Sequence, residues 1–155
     1  ARELSSYSLE YIYSSDLIRA LGTSFAVAEN RIPPIQVRKD ARLREVDVGE
    51  MTGLTKTEAR IRFPDSHFST HHPEFDFRSI DGESASQVRD RIHDFLLDLS
   101  SMHKDLVTTG PHILLLGHGT AFRHFLTHYG HTWNMPQGGF QVVTFDLPLR
   151  KELSP

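Results

Sequence analysis

The segment Ile113-Leu114-Leu115-Leu116-Gly117-His118-Gly119-Thr120 sets four apolar residues in a row and then breaks on two glycines around a histidine. A continuous apolar run without alternation predicts a strand covered on both faces, as in a parallel sheet. Phe122, Phe125, Leu126 and Tyr129 then recur at helical spacing, so the histidine falls where a strand turns into a helix. A second junction of the same kind lies upstream. Leu9-Glu10-Tyr11-Ile12-Tyr13 is aromatic and β-branched and reads as a strand, and Ser14-Ser15-Asp16 supplies N-cap chemistry for the next helix. In that helix Leu17, Ala20, Leu21 and Ala28 repeat at helical spacing until Ile32-Pro33-Pro34 stops it.

Between the two junctions, Thr55-Lys56-Thr57-Glu58 is a capping box, predicting a helix up to the residue before Pro64. Ser84-Ala85-Ser86-Gln87 is another, and Val88, Ile92, Phe95, Leu96 and Leu99 mark one apolar face of a long helix behind it. Residues 65–82, rich in His, Phe, Asp and Pro, show no periodicity and read as a long functional loop outside the core. Gly138-Gly139 precede an alternating segment, Phe140 to Phe145, that predicts a last strand, and the tail from Pro148 is expected to be loose. Strands alternating with helices predict a three-layer α/β/α sandwich around a mostly parallel central sheet. No repeat or Gly/Ser linker divides the chain, so residues 1–155 are read as a single domain.

Composition narrows the function classes. Seventeen Lys+Arg against twenty Asp+Glu give a net charge of -3, which argues against a general nucleic-acid or anionic-membrane binder. No apolar run approaches the roughly twenty residues of a bilayer span. The absence of cysteine excludes disulfides, thiol catalysis and thiolate metal sites, and with no secretory leader pattern the expected setting is the cytoplasm.

In open α/β sheets, ligands bind where strand carboxyl ends meet helix amino termini. Both junctions put chemistry there. Helix N-terminal N–H groups suit a phosphate, Arg19 can clamp two of its oxygens, and the glycines beside His118 allow close backbone approach. Taken singly, His118 reads as a buried hydrogen-bonded histidine, Arg19 as a surface cation and Glu45 as a solvated loop carboxylate.

Their order changes that reading. Ser14-Ser15, Arg19-Ala20, the segment Leu43-Arg44-Glu45-Val46-Asp47-Val48-Gly49-Glu50-Met51-Thr52-Gly53-Leu54-Thr55, Gly82-Glu83-Ser84 and His118-Gly119 follow one another in a pattern that resembles the histidine phosphatase superfamily, the phosphoglycerate-mutase-like fold. The resemblance runs from the first residues to about Phe145. It implies a phosphohistidine mechanism without a cofactor or metal, with His118 as the second histidine and Arg19 as a phosphate clamp. Glu45 would be the general acid and then the base that activates water, and Ser15, Gly119 and Thr120 would bind substrate beside Arg19. A free glutamic acid titrates near 4.3, so such a donor needs help from phosphate charge or burial.

The family's Arg-His-Gly, which carries the nucleophile, does not occur in these residues; the one Arg-His is Arg123-His124, followed by Phe125. Ala1-Arg2-Glu3-Leu4 resembles the end of the family's first helix, so the expectation is a domain read without its N-terminal strand, which in the family lies beside the strand ending at His118. The expected function is phosphomonoester hydrolysis of a small phosphorylated metabolite. A mutase is the nearest rival, disfavoured by short insertions and a short tail, and a phosphate-binding module without turnover is the other. His124, His128 and His131 at helical spacing, with His67, His71 and His72 in the loop, raise a metal site, but no carboxylate or thiolate joins them in register and Gly130 should end the helix before His131. The run Arg38-Lys39-Asp40-Ala41-Arg42 reads as a solvated face, and the loop over 65–82, with Phe75 and Phe77, as the seat of substrate selectivity. No nucleic-acid or membrane partner is expected; the assembly states left open include a homo-oligomer.

Overall fold

The structure, a computed structural model, describes residues 3–65, 68–104, 112–133, 135, 136 and 138–144. Its elements are β1 (Leu9–Ser14), α1 (Ile18–Glu29), β2 (Val37–Lys39), α2 (Lys56–Arg62), α3 (Ala85–Met102), β3 (His112–Leu116) and α4 (Gly119–His128). The strands form a parallel sheet in the order β2-β1-β3. Ser14 pairs with Lys39 on one side and Leu116 on the other, so all three strands end in one row.

The strand alternation sorts the layers. Ile12, Leu114 and Leu116 pack with Val27 and Ala28 of α1 on one face. Tyr11, Tyr13, Ile113 and Leu115 turn to the other, against the core built by α3 and α4. This is the α/β/α sandwich that alternating strands and helices predict. The apolar face of α3 is buried as its spacing predicts, from Val88 at 0% exposure to Leu99 at 7%. Both capping boxes form, Thr55 with Glu58 and Ser84 with Gln87.

Four expectations need correction. The α1 N-cap is Leu17, without a side-chain cap; Ser14 and Ser15 are fully buried at the strand end, and the Ser15 hydroxyl accepts from the Leu17 N–H. The segment over 65–82 contributes to the core, because Phe75, Phe77 and Ile80 are buried there against α3 and α4. Residues 140–144 make no strand, while His67, Phe145 and the tail from Pro148 lie outside the described residues. Ile113 to Leu116 are half-buried, because β3 has a strand neighbour on only one side among the described residues.

Two glycines bring the Glu45 segment against the start of α3. Gly49 adopts φ +55, and a Cβ there would lie 1.8 Å from the Ile80 carbonyl oxygen; one on Gly82 would lie 2.7 Å from the Asp47 carbonyl oxygen. Gly49→Ala therefore combines left-handed strain with a backbone collision and is expected to cost about 3 kcal/mol or more. Gly53→Ala, with φ +83 but open space around it, should cost only about 1 kcal/mol. Urea denaturation of the two variants checks the difference.

Candidate active site

The common end row of the sheet places the first residues after β1 beside those after β3. The Ser15 N–H extends the ladder by one bond, donating to the Leu116 carbonyl at 2.8 Å. This fixes Ser15 against His118, whose Nε2 lies 2.9 Å from the Ser15 hydroxyl. From the first turn of α1, Arg19 donates its Nε–H to His118 Nδ1 at 3.2 Å. An arginine Nε always carries its hydrogen, so Nδ1 is the acceptor and the ring proton sits on Nε2, directed at Ser15. Burial, and then the Arg19 cation, hold the His118 pKa below its ordinary 6.5, which leaves the ring neutral at pH 7.

Glu45 completes the group from the other side. Its Oε1 accepts the Ala121 N–H at 2.9 Å and the Val46 N–H at 3.0 Å, and its Oε2 accepts the Thr120 N–H at 3.4 Å. The carboxylate thus engages amides of the first turn of α4, where the dipole favours negative charge. Leu43 and Val46, both buried, anchor the segment on either side of it.

His118, Arg19, Ser15, Glu45, Gly119 and Thr120 are therefore gathered at one edge. The backbone N–H of Thr120 is spent on Glu45, and Gly119 is exposed, with open space where a Cβ would stand. The two glycines differ in purpose. Neither has a positive φ; a Cβ on Gly117 would come to 2.5 Å from the Phe122 ring, which would have to shift to admit it. Asp16, read as helix-capping charge, instead takes Arg44 through two bonds of 2.7 and 2.6 Å, and that hydrogen bonding holds its carboxyl below the usual range. Sequence reading assigned no role to Arg91, whose charge also lowers the His118 pKa.

His124, weighed as a metal ligand, has other contacts. His124 and Arg123 both bond the Thr70 carbonyl at 2.8 Å, and the His124 ring meets the edge of Phe75. Gly130, with φ +76, follows the Tyr129 C-cap that closes α4. Among the described residues no group of three or more His, Asp or Glu is arranged to hold a metal, and no helix is long and apolar enough to cross a membrane.

Three buried histidines give the fold a pH response. His103, His118 and His124 all have pKa values below the ordinary 6.5, with burial the leading cause in each. The unfolded chain takes up these protons near 6.5 while the folded chain resists until lower pH. Their contribution is therefore complete above 6.5 and lost as pH falls through the folded values. Asp16, Asp40 and Glu58, each held low by hydrogen bonds, lose theirs only further down, below about 4. The urea midpoint should hold steady from about pH 8 to 7 and fall between about pH 6.5 and 5; a flat midpoint across that range would contradict it.

Residues 1–145 match the sequence profile of the histidine phosphatase superfamily (branch 1). The chain belongs to that superfamily. It is 30% identical over 118 residues to a 2,3-bisphosphoglycerate-dependent phosphoglycerate mutase of Methylobacterium radiotolerans, covering 76% of this chain and 54% of that protein. Phosphoserine phosphatase 1 of Hydrogenobacter thermophilus is 32% identical over 107 residues, covering 66% and 48%. Among solved structures, Bacillus stearothermophilus YhfR superposes with a TM-score of 0.70 at 25% identity, covering 83% of this chain and 60% of that one. A mycobacterial glucosyl-3-phosphoglycerate phosphatase superposes with a TM-score of 0.69 at 25% identity, covering 80% and 60%. The chain spans about half the length of the curated relatives it matches.

Proposed function

We propose that this chain carries the second histidine, a phosphate clamp and the proton donor of a phosphomonoester hydrolase acting on a small phosphorylated metabolite through a phosphohistidine. The observation that supports it best is the placement of Glu45 and the Arg19–His118–Ser15 group together at the α4 amino terminus. A phosphoryl group entering there would exchange Arg19 and His118 from one another to its equatorial oxygens, where negative charge is spread in the transition state.

The nucleophilic histidine belongs to the Arg-His-Gly motif, which these residues do not contain; the open side of β3, next to His118, is where the resemblance places its strand. In the first step the N–P bond forms as the P–O bond to the leaving group breaks, and Glu45 gives that oxygen its proton. In the second, water attacks phosphorus, Glu45 takes the water's proton, the N–P bond breaks and phosphate leaves.

Relatives include both mutases and phosphatases, so the deciding experiment measures free phosphate. The full-length protein, its intact mass first determined, is incubated with a panel of phosphorylated metabolites. Release of phosphate in step with the alcohol product is expected. Transfer between positions without release would assign a mutase, and phosphate binding without turnover would assign a binding module.

A further inference from the structure

Glu45 sits on a segment with little regular structure, between short 3-10 turns at Ala41–Leu43 and Gly49–Met51. A carboxylate that must meet a leaving oxygen within hydrogen-bond distance needs its backbone fixed. In the structure that fixing comes from α3. The Arg91 guanidinium donates to the Arg42 carbonyl and, at 3.2 Å, to the carbonyl of Glu45 itself. Its other hydrogens form a two-pronged pair with Glu83, at 2.9 Å to Oε1 and 3.1 Å to Oε2. Glu83 reaches the far side of the segment, its Oε2 accepting the Asp47 N–H at 3.0 Å and its own N–H donating to the Asp47 carbonyl at 2.8 Å.

The segment is thus tied at residues 42, 45 and 47 to one ion pair, whose side chains are only 16% and 24% exposed. The planar fork of arginine can serve two carbonyls and a carboxylate at once, which an ammonium cannot do in the same geometry. The frame beneath it is stiff, because the Ser84 capping box fixes the helix start directly after Glu83 and the buried face of α3 fixes the helix that carries Arg91.

We infer that Arg91, braced by Glu83, is a positioning residue that holds the Glu45 carboxylate against the α4 amino terminus. The inference rests on the reading of Glu45 as the proton donor, and its test includes an arm that needs no turnover. That arm is amide hydrogen exchange of the full-length protein. The Thr120 and Ala121 amides have no partner within α4 and depend on Glu45. In Arg91→Lys they should exchange about tenfold faster or more, with the Phe125 and Leu126 amides unchanged.

The kinetic arm compares leaving groups. Arg91→Lys should slow an alkyl phosphate by about tenfold or more and nitrophenyl phosphate by less than about threefold. Added to Glu45→Gln it should cost less than about twofold further, because the group it positions is already gone. Wild-type exchange at Thr120 and Ala121, rescue of the leaving-group pattern by lysine, or equal loss in both Glu45 backgrounds would overturn the inference. If the protein hydrolyses nothing while the exchange arm succeeds, the proposed function fails and the positioning stands. Should Arg91→Lys not fold, Glu83→Gln carries the same two expectations.

Discussion

Alanine at His118 is expected to lower turnover of any phosphomonoester substrate by about a thousandfold or more, a loss of about 4 kcal/mol of transition-state stabilisation. His118 is 8% exposed, and its imidazole is hydrogen-bonded at both nitrogens, to Arg19 and to Ser15. Its removal takes away one donor to the phosphoryl oxygens and also the partner that fixes the Arg19 guanidinium over the site. Binding should weaken with catalysis, by about tenfold or more for inorganic phosphate measured calorimetrically. The packing loss is local, because the core of α4 rests on Ala121, Phe125 and Leu126 rather than on this ring. Unchanged kinetics in a folded His118→Ala protein would sink the assignment of the whole edge as an active site.

Glu45→Gln separates proton transfer from phosphate binding. Glutamine keeps one acceptor oxygen, enough for the Ala121 and Val46 amides, and gives up only the longer 3.4 Å bond from Thr120, so the segment should stay in place and stability should change little. Alkyl phosphates, whose leaving alkoxide must be protonated, should slow by about a hundredfold to ten-thousandfold. Nitrophenyl phosphate expels nitrophenolate, a stable anion that needs no proton, so its first step should lose less than about tenfold. Without a base to activate water, the covalent intermediate should then accumulate and show as a burst of nitrophenol. An equal loss on both substrate types, with no burst, would remove Glu45 from the acid and base roles.

Arg19, Glu45 and His118 come from parts of the chain 26 and more residues apart, yet each was found by residue type within an ordered set of short motifs. The helices were legible for a local reason. A capping box closes within three residues and an apolar stripe repeats every turn, so α2 and α3 declare themselves without knowledge of their neighbours. Residues 65–82 misled because they have no period. Phe75 and Phe77 touch each other, and Phe77 stacks on Phe68, but their burial comes from joining the core that α3 and α4 build, and only distant contacts could reveal it. Ser14 and Ser15 misled because cap chemistry and a buried strand end use the same residue type, and the ladder bond from Ser15 to Leu116 decides between them.

From sequence alone follow the alternation of strands and helices, the family resemblance and the residues at the sheet edge, because these depend on spacing and residue type along the chain. Tertiary structure alone decided what each side chain holds. The strand register puts Ser15 against a histidine 103 positions away, and the Glu45 carboxylate accepts an amide 76 positions away. Arg91 gives no sign of its role in the sequence, where it is one more charged residue on a helix. Its partners at Arg42, Glu45 and Glu83 become neighbours only when α3 packs beneath the Glu45 segment. Such contacts depend on the relative placement of whole elements, which core packing and sheet register set together and which no local pattern encodes.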